Sequence, residues 1–169
     1  MSRPPLANPA MLRSALELAQ TGRFEEAQAM ASWLEKGALS TDELRKLALV
    51  YAYCGGDLDA EEVWAAVCTR DDVGPADCFM LASVQVALGR FDQAIRNFWR
   101  EFSAARREGR RVCQDVSGIN LAHFLAASGD KTQALQVLGQ IDGSQSAYVP
   151  GVGFLTKQEL LLSLVARRR

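Results

Sequence analysis

The sequence predicts an all-α protein: a stack of about four helix–turn–helix units with one further helix capping its C-terminal end. Three observations carry that reading. A phrase recurs, as TGRFEEA at 21–27, CGGDLDA at 54–60, LGRFDQA at 88–94 and SGDKTQA at 128–134. Its glycines, Gly22, Gly55, Gly89 and Gly129, are 33, 34 and 40 residues apart, and a period in the low thirties is a signature of stacked repeats. The composition is 49% hydrophobic and 23% charged, with Ala, Leu, Arg, Glu and Gln dominant and β-branched and aromatic residues sparse, which favours helix. Around the third phrase the apolar residues follow a helical period: Phe79, Leu81, Ala82, Val84, Val86 and Leu88 before Gly89, then Phe91, Ala94, Ile95, Phe98, Trp99 and Phe102 after it.

Residues 1–9 hold three prolines and no apolar stretch of the kind a signal peptide needs; they are predicted to be disordered. No run approaches the ~18 apolar residues of a membrane span, so the expected location is cytoplasmic, without membrane insertion. Residues 10–142 form the repeat stack. In each phrase the glycine ends one helix by adopting the left-handed C-cap, and the next residues start the second helix at once. Ala27, Ala60, Ala94 and Ala134 stand where two antiparallel helices cross, and a larger side chain would push the axes beyond the usual ~8–10 Å. Phe24 and Phe91 are expected to plug the space between repeats, and Trp33, Trp64 and Trp99 to lie in second helices as core wedges.

Ser40 with Glu43 reads as a capping box opening a helix near residue 42, and Pro75 suits the first turn of another. Residues 103–113 account for the longest spacing, as an extended helix and then a loop at Gly109. Residues 143–155, rich in Gly and Ser with Pro150, are predicted to be a loop. Thr156 with Glu159 opens the last helix of the segment 156–169, whose Leu160, Leu161, Leu164 and Val165 cover the open end of the stack before a basic tail, Arg167–Arg169.

Chemical motifs are missing. GVG at 151–153 lacks the remaining spacing of a phosphate loop, and no HExxH or GxSxG occurs. His123 is the one imidazole, and on a helix face it reads as structural or groove-lining. Cys54, Cys68, Cys78 and Cys113 form no CxxC pair and sit in apolar patterns as small hydrophobes. No enzyme activity, metal or cofactor is expected. The acids at helix starts, such as Glu25, Glu26, Asp57 and Asp59, complement the helix dipole. The net charge of −1 does not point to nucleic acid or an anionic membrane. Arg106, Arg107, Arg110 and Arg111 read first as solvated surface, next as a contact for an acidic partner, and last as a nucleic-acid contact.

These units resemble the tetratricopeptide repeat (TPR). The third matches best, through Leu81, Ala82, Gly89, Phe91, Ala94 and Phe98; the second supplies Leu44, Leu47, Ala48, Tyr51, Gly55, Ala60 and Trp64, the fourth Leu121, Ala122, Leu125, Gly129, Ala134 and Leu138, and the first Ala15, Leu18, Gly22, Phe24 and Ala27. The resemblance implies a right-handed superhelix whose concave face is lined by first helices. Carried over residue by residue, that face holds Leu12, Leu16, Arg45, Leu49, Tyr53, Phe79, Ser83, Val86, Ile119 and His123. A mostly apolar lining implies a protein partner presenting an amphipathic or apolar helix, or a second copy of the chain as a homodimer. The family's two-carboxylate clamp is not supported, because Leu12 and Leu16 stand where it needs polar residues. Residues 25–39, EEAQAMASWLEKGAL, with the leucine-rich helix after them, resemble bacterial type III secretion chaperones of the needle-subunit or translocator type. That likeness implies a cytosolic chaperone. A generic repeat scaffold in a larger assembly is the alternative, and a regulatory nucleic-acid binder using the arginine clusters comes third.

Overall fold

The structure, a computed structural model, describes residues 9–166. Residues 1–8 of the expected disordered segment and the tail Arg167–Arg169 lie outside the described residues. The chain divides into two compact units, residues 1–77 and 78–169. The first holds α1 (Pro9–Gln20), α2 (Phe24–Ala31), α3 (Thr41–Tyr53), α4 (Asp57–Val67) and the first residues of α5 (Pro75–Ala87). The second holds the rest of α5, then α6 (Phe91–Arg107), α7 (Arg111–Ala127), α8 (Lys131–Leu138), strands β1 (Ser146–Val149) and β2 (Gly153–Thr156), and α9 (Lys157–Ala166).

Each phrase glycine is a corner. Gly22, Gly55, Gly89 and Gly129 have φ of +82°, +71°, +71° and +98°, a region that strains any residue with a Cβ. The next residue's N–H reaches back to the preceding helix: Arg23 to the Leu18 carbonyl at 2.9 Å, and Gly56 to Tyr51, Arg90 to Gln85 and Asp130 to Leu125 each at 2.8 Å. This is the Schellman arrangement, which satisfies carbonyls left over at the helix end. Gly109 makes a fifth corner, with φ +67° and the Arg110 N–H on the Ala105 carbonyl at 2.9 Å. The long 89–129 spacing is therefore spent on helix: α6 and α7 are 17 residues each, joined by a tight turn.

Ala27, Ala60, Ala94 and Ala134 are all 0% exposed, at the crossings where the stack leaves room for a methyl group alone. Within the first unit α1 packs on α2 and α3, and α3 on α2 and α4; within the second α7 packs on α6, α8, β1 and α9. Ser40 and Glu43 form the capping box at α3, the Ser40 hydroxyl accepting from the Glu43 N–H and the Glu43 carboxylate from the Ser40 N–H. Thr156 and Glu159 repeat the device at α9.

Two aromatic expectations are corrected. Phe24 and Phe91 are about half exposed rather than buried plugs, because the glycine corner delivers the first residue of the second helix to the outside, although the Phe91 ring still stacks on Phe124 of α7. Trp33 lies beyond the end of α2, in the turn before a short 3-10 segment at Lys36–Ala38, and is also half exposed. Trp64 is buried in α4.

The expected loop at 143–155 is corrected as well: it contains an antiparallel hairpin pairing Ser146 with Thr156, Ala147 with Leu155, Tyr148 with Phe154 and Val149 with Gly153. Alternate residues of β1 face inward, so Ala147 and Val149 are 2% and 0% exposed and join the core of the second unit. Three polar contacts hold the hairpin. The buried Asp115 carboxylate of α7 accepts from the N–H groups of Asp142 and Gly143 at 3.1 Å and of Ser144 at 3.2 Å. The Asn120 amide donates to the Tyr148 carbonyl at 3.2 Å. The Lys157 ammonium donates to the Ile141 carbonyl at 2.7 Å. A buried carboxylate is tolerated here because several donors converge on it.

Candidate functional site

In the first unit the residues expected to line a groove serve different ends. Leu12 is buried in the core and offers no surface; Leu16 and Leu49 are half-buried, and Tyr53 is exposed. Arg45 does not present its charge to solvent as a groove residue would. Its guanidinium grips the nearly buried Asp77 carboxylate through two bonds, at 2.9 and 2.8 Å, and also donates to Asp42 at 2.6 Å and to the Asp72 carbonyl at 3.0 Å. The Thr41 hydroxyl donates to the Asp72 carboxylate at 2.6 Å, which holds that carboxyl below its usual range. The forked geometry of Arg45 ties the α4–α5 connection to α3.

In the second unit Ile119 is wholly buried, which removes it from any surface. Phe79 is half-buried with its ring edge-on to Phe98, the centroids 5.4 Å apart, and so belongs to the core. The Ser83 hydroxyl is turned back onto the Phe79 carbonyl at 2.9 Å. The structure does bring Val86 and His123 together. Both line a cavity of about 380 Å³ with Phe91, Phe124, Ala127, Ser128 and the hairpin turn Pro150–Gly151–Val152.

Three separate pieces of chain build this cavity. The Gly89 corner puts Val86 on the last turn of α5 and Phe91 on the first of α6. The C-terminal turns of α7 supply His123, Phe124 and Ala127. The hairpin turn closes one side, with the Val152 N–H on the Val149 carbonyl at 3.0 Å and left-handed glycines at Gly151 and Gly153. The aromatic wall is a continuous stack: Phe91 on Phe124 at 5.9 Å and 19°, and Phe124 on Phe98 at 5.8 Å and 6°. The His123 ring meets Phe124 edge-on at 5.0 Å. His123 is the one titratable group among the lining residues. A mostly apolar cavity of this size suits an apolar group on the scale of an aromatic or branched side chain, whose entry would be driven by desolvation.

Sequence reasoning missed Phe124, Ala127, Ser128 and the turn 150–152 as lining residues. The available signal was the short alternation of apolar and polar residues at 146–149, which Gly and Ser around it obscured. Beside the cavity the hairpin carries Tyr148 and Phe154 outward; both are exposed, and their rings meet at 5.6 Å. Among the described residues no group of three or more His, Cys, Asp and Glu side chains is placed to hold a metal ion. Among the same residues no helix is long and apolar enough to cross a membrane.

A family model described as tetratricopeptide repeat matches residues 116–140, the span of the α7–α8 corner. No curated protein sequence matches the chain. Among solved structures, the nearly identical TPR-like repeats of kinesin-light-chain type from Podosopora anserina are 22% identical, with a TM-score of 0.62, over 80% of this chain and 75% of that one. The protein MamA of AMB-1 is 17% identical, with a TM-score of 0.46, over 77% of this chain and 94% of its own. The fold is accordingly an all-α stack of TPR-like helical repeats.

Proposed function

We propose that this chain is a non-catalytic protein-interaction scaffold and that the cavity of its second unit receives an apolar anchor from a protein partner. The observation that carries this reading is the cavity walled by Phe91 and Phe124, with Phe98 stacked behind them, under the 150–152 turn: a mostly apolar slot whose one titratable side chain is His123. Apolar anchors in such slots supply most of the energy of an interface. The hairpin that supplies this turn also exposes Tyr148 and Phe154.

The narrower form of this reading is a cytosolic bacterial chaperone that holds an apolar helical segment, such as a type III secretion subunit. It rests on the likeness at residues 25–39. In the structure those residues form α2, the Trp33 turn and the approach to α3, and the cavity at that corner, about 340 Å³, is lined by the charged Arg23, Glu25 and Glu26, which do not suit an apolar segment. The scaffold reading is therefore preferred.

The test is affinity capture from the native cell with mass spectrometry, comparing the parent chain with a Phe91→Glu/Val152→Glu variant. Both positions are half exposed, so helicity should stay at the parent level. Loss of one dominant partner by the double variant, with its retention by Val112→Glu at the exposed opposite end of α7, supports the slot. Equal capture by all three chains would end it. A small subunit captured at 1:1 that is insoluble by itself would favour the chaperone.

A further inference from the structure

The net charge of −1 hides an uneven distribution. The first unit, residues 1–77, has seven Lys and Arg against thirteen Asp and Glu, a net charge of −6. The second, residues 78–169, has twelve against seven, a net charge of +5.

Part of the surplus in each unit is on the surface of second helices; of the second unit's basic residues, Arg167–Arg169 lie outside the described residues. On α2 and α4 the exposed acids are Glu25, Glu26, Asp59 and Glu62, interleaved with the exposed apolar Phe24 and Leu58. Of these acids, Glu26 pairs with Arg23 and Glu62 with Lys36, which leaves the surface acidic overall. On α6, Arg96, Arg100 and Arg107 are exposed and fall at i, i+4 and i+11, one stripe along the helix. Of the second unit's own acids, the exposed Asp92 lies one turn before Arg96 on the same face of α6 and offsets part of that stripe, while the acids nearest its other residues do little. Glu101 and Asp115 are buried, and Glu108 is engaged by Arg110 at 2.7 Å.

We propose that the acidic surface of the first unit docks on the basic α6 stripe of the second unit of another copy of this chain. A nucleic acid or other polyanion would answer the arginine stripe but would be repelled by the −6 unit. A second copy answers both surfaces with the charges they already carry, and complementary potentials of this kind steer and register association. Phe24 and Leu58 give the acidic side apolar area to bury on contact.

The test uses the full chain in sedimentation equilibrium between about 0.01 M and about 1 M salt, over which the Debye length falls from about 30 Å to about 3 Å. The expected result is a mass of at least two chains at low salt and an apparent Kd that weakens roughly tenfold or more toward high salt. Two variants fix the surfaces: Asp59→Lys/Glu62→Lys, and Arg96→Glu/Arg100→Glu/Arg107→Glu. Each should be monomeric at low salt, and their 1:1 mixture should associate again, because each then carries the charge that the other lacks. If far-UV circular dichroism shows either one unfolded, the neutral sets Asp59→Asn/Glu62→Gln and Arg96→Gln/Arg100→Gln/Arg107→Gln replace them, and each should weaken low-salt association. A parent chain that is monomeric at every salt concentration overturns the proposal. So does association that ignores salt, or a charge-reversed variant that self-associates like the parent. A monomeric parent that binds duplex DNA with a steep salt dependence assigns the stripe to a polyanion and overturns it equally.

Discussion

In the first unit the connection between α4 and α5 is tied to α3 by a charged clamp, Arg45 reaching Asp77, Asp42 and the Asp72 carbonyl. In the second, α5, α6 and α7 meet through rings: Phe79 against Phe98, Phe98 on Phe124, Phe124 on Phe91. The repeat is the same, with the same glycine corner and the same buried alanine. The two means of joining one helix pair to the next differ in what they demand. A forked guanidinium fixes angle and register but leaves a buried carboxylate in need if it is lost. Stacked rings gain stability from area and tolerate small shifts, and where the stack reaches the surface at Phe91 it makes one wall of the cavity. A repeat fold thus gains a cavity where its aromatic core is left open at one end.

The largest effect that would break this comparison is Phe98→Ala. Phe98 is fully buried at the centre of the ring stack, and its truncation should cost about 3–5 kcal/mol. Hydrogen exchange should show protection lost across α6 and α7 and retained in α1–α4. Equal loss in both units would mean that they do not differ as described.

Next is Arg45→Met, which strands the Asp77 carboxylate beside the single Gly74 N–H at 2.7 Å. The expected cost is about 2–3 kcal/mol, below the ~3–5 kcal/mol of a fully buried pair because Arg45 is partly solvated. Thermal unfolding with local exchange should place the damage at residues 69–77, with the ring stack unchanged.

Asp115→Asn should be smaller, about 1–3 kcal/mol. The new amide would set an NH2 group against N–H donors that the carboxylate now accepts. Exchange at Asp142, Gly143 and Ser144 should quicken, and the hairpin turn should loosen over the cavity. A weaker partner interaction in that variant, with core protection intact, would show that the hairpin shapes the slot.

The smallest effects are at the two capping boxes, where the units should behave alike. Hydrogen bonds from Ser40 and Thr156 hold the Glu43 and Glu159 carboxyls below their usual range. A carboxyl lowered in the folded state contributes stability above its unfolded pKa of about 4.3, and that contribution fades as pH falls through the lower folded value. Acid titration followed by helicity should show both helix starts fraying in that window. Ser40→Ala and Thr156→Ala should each cost about 1 kcal/mol.

Legibility in the sequence followed the range of the interaction. The corners at Gly22, Gly55, Gly89 and Gly129 are readable because a left-handed glycine and its Schellman bond involve six consecutive residues. The capping boxes span four, and the alanine crossings repeat with the phrase. The site was less legible. Val86 and His123 belong to one cavity, but the wall that joins them runs through Phe91 and Phe124, and the roof comes from a hairpin whose strand character depends on docking Ala147 and Val149 against α7. Arg45 read as a groove residue because its position in α3 fits that role; its partner Asp77 is 32 residues away.

What the sequence by itself determined is the all-helical repeat: the period, the glycines that end helices, the small residues that let them cross, and the caps that start them. Each depends on neighbours within a turn or two of chain, where the backbone's own sterics and hydrogen bonds decide. Tertiary structure alone decided the hairpin, the Arg45 clamp, the open end of the ring stack and the boundary that divides −6 from +5. In each of these, residues far apart in the chain satisfy or leave unsatisfied one another's polar groups, apolar area or charge, and only folding brings them within reach.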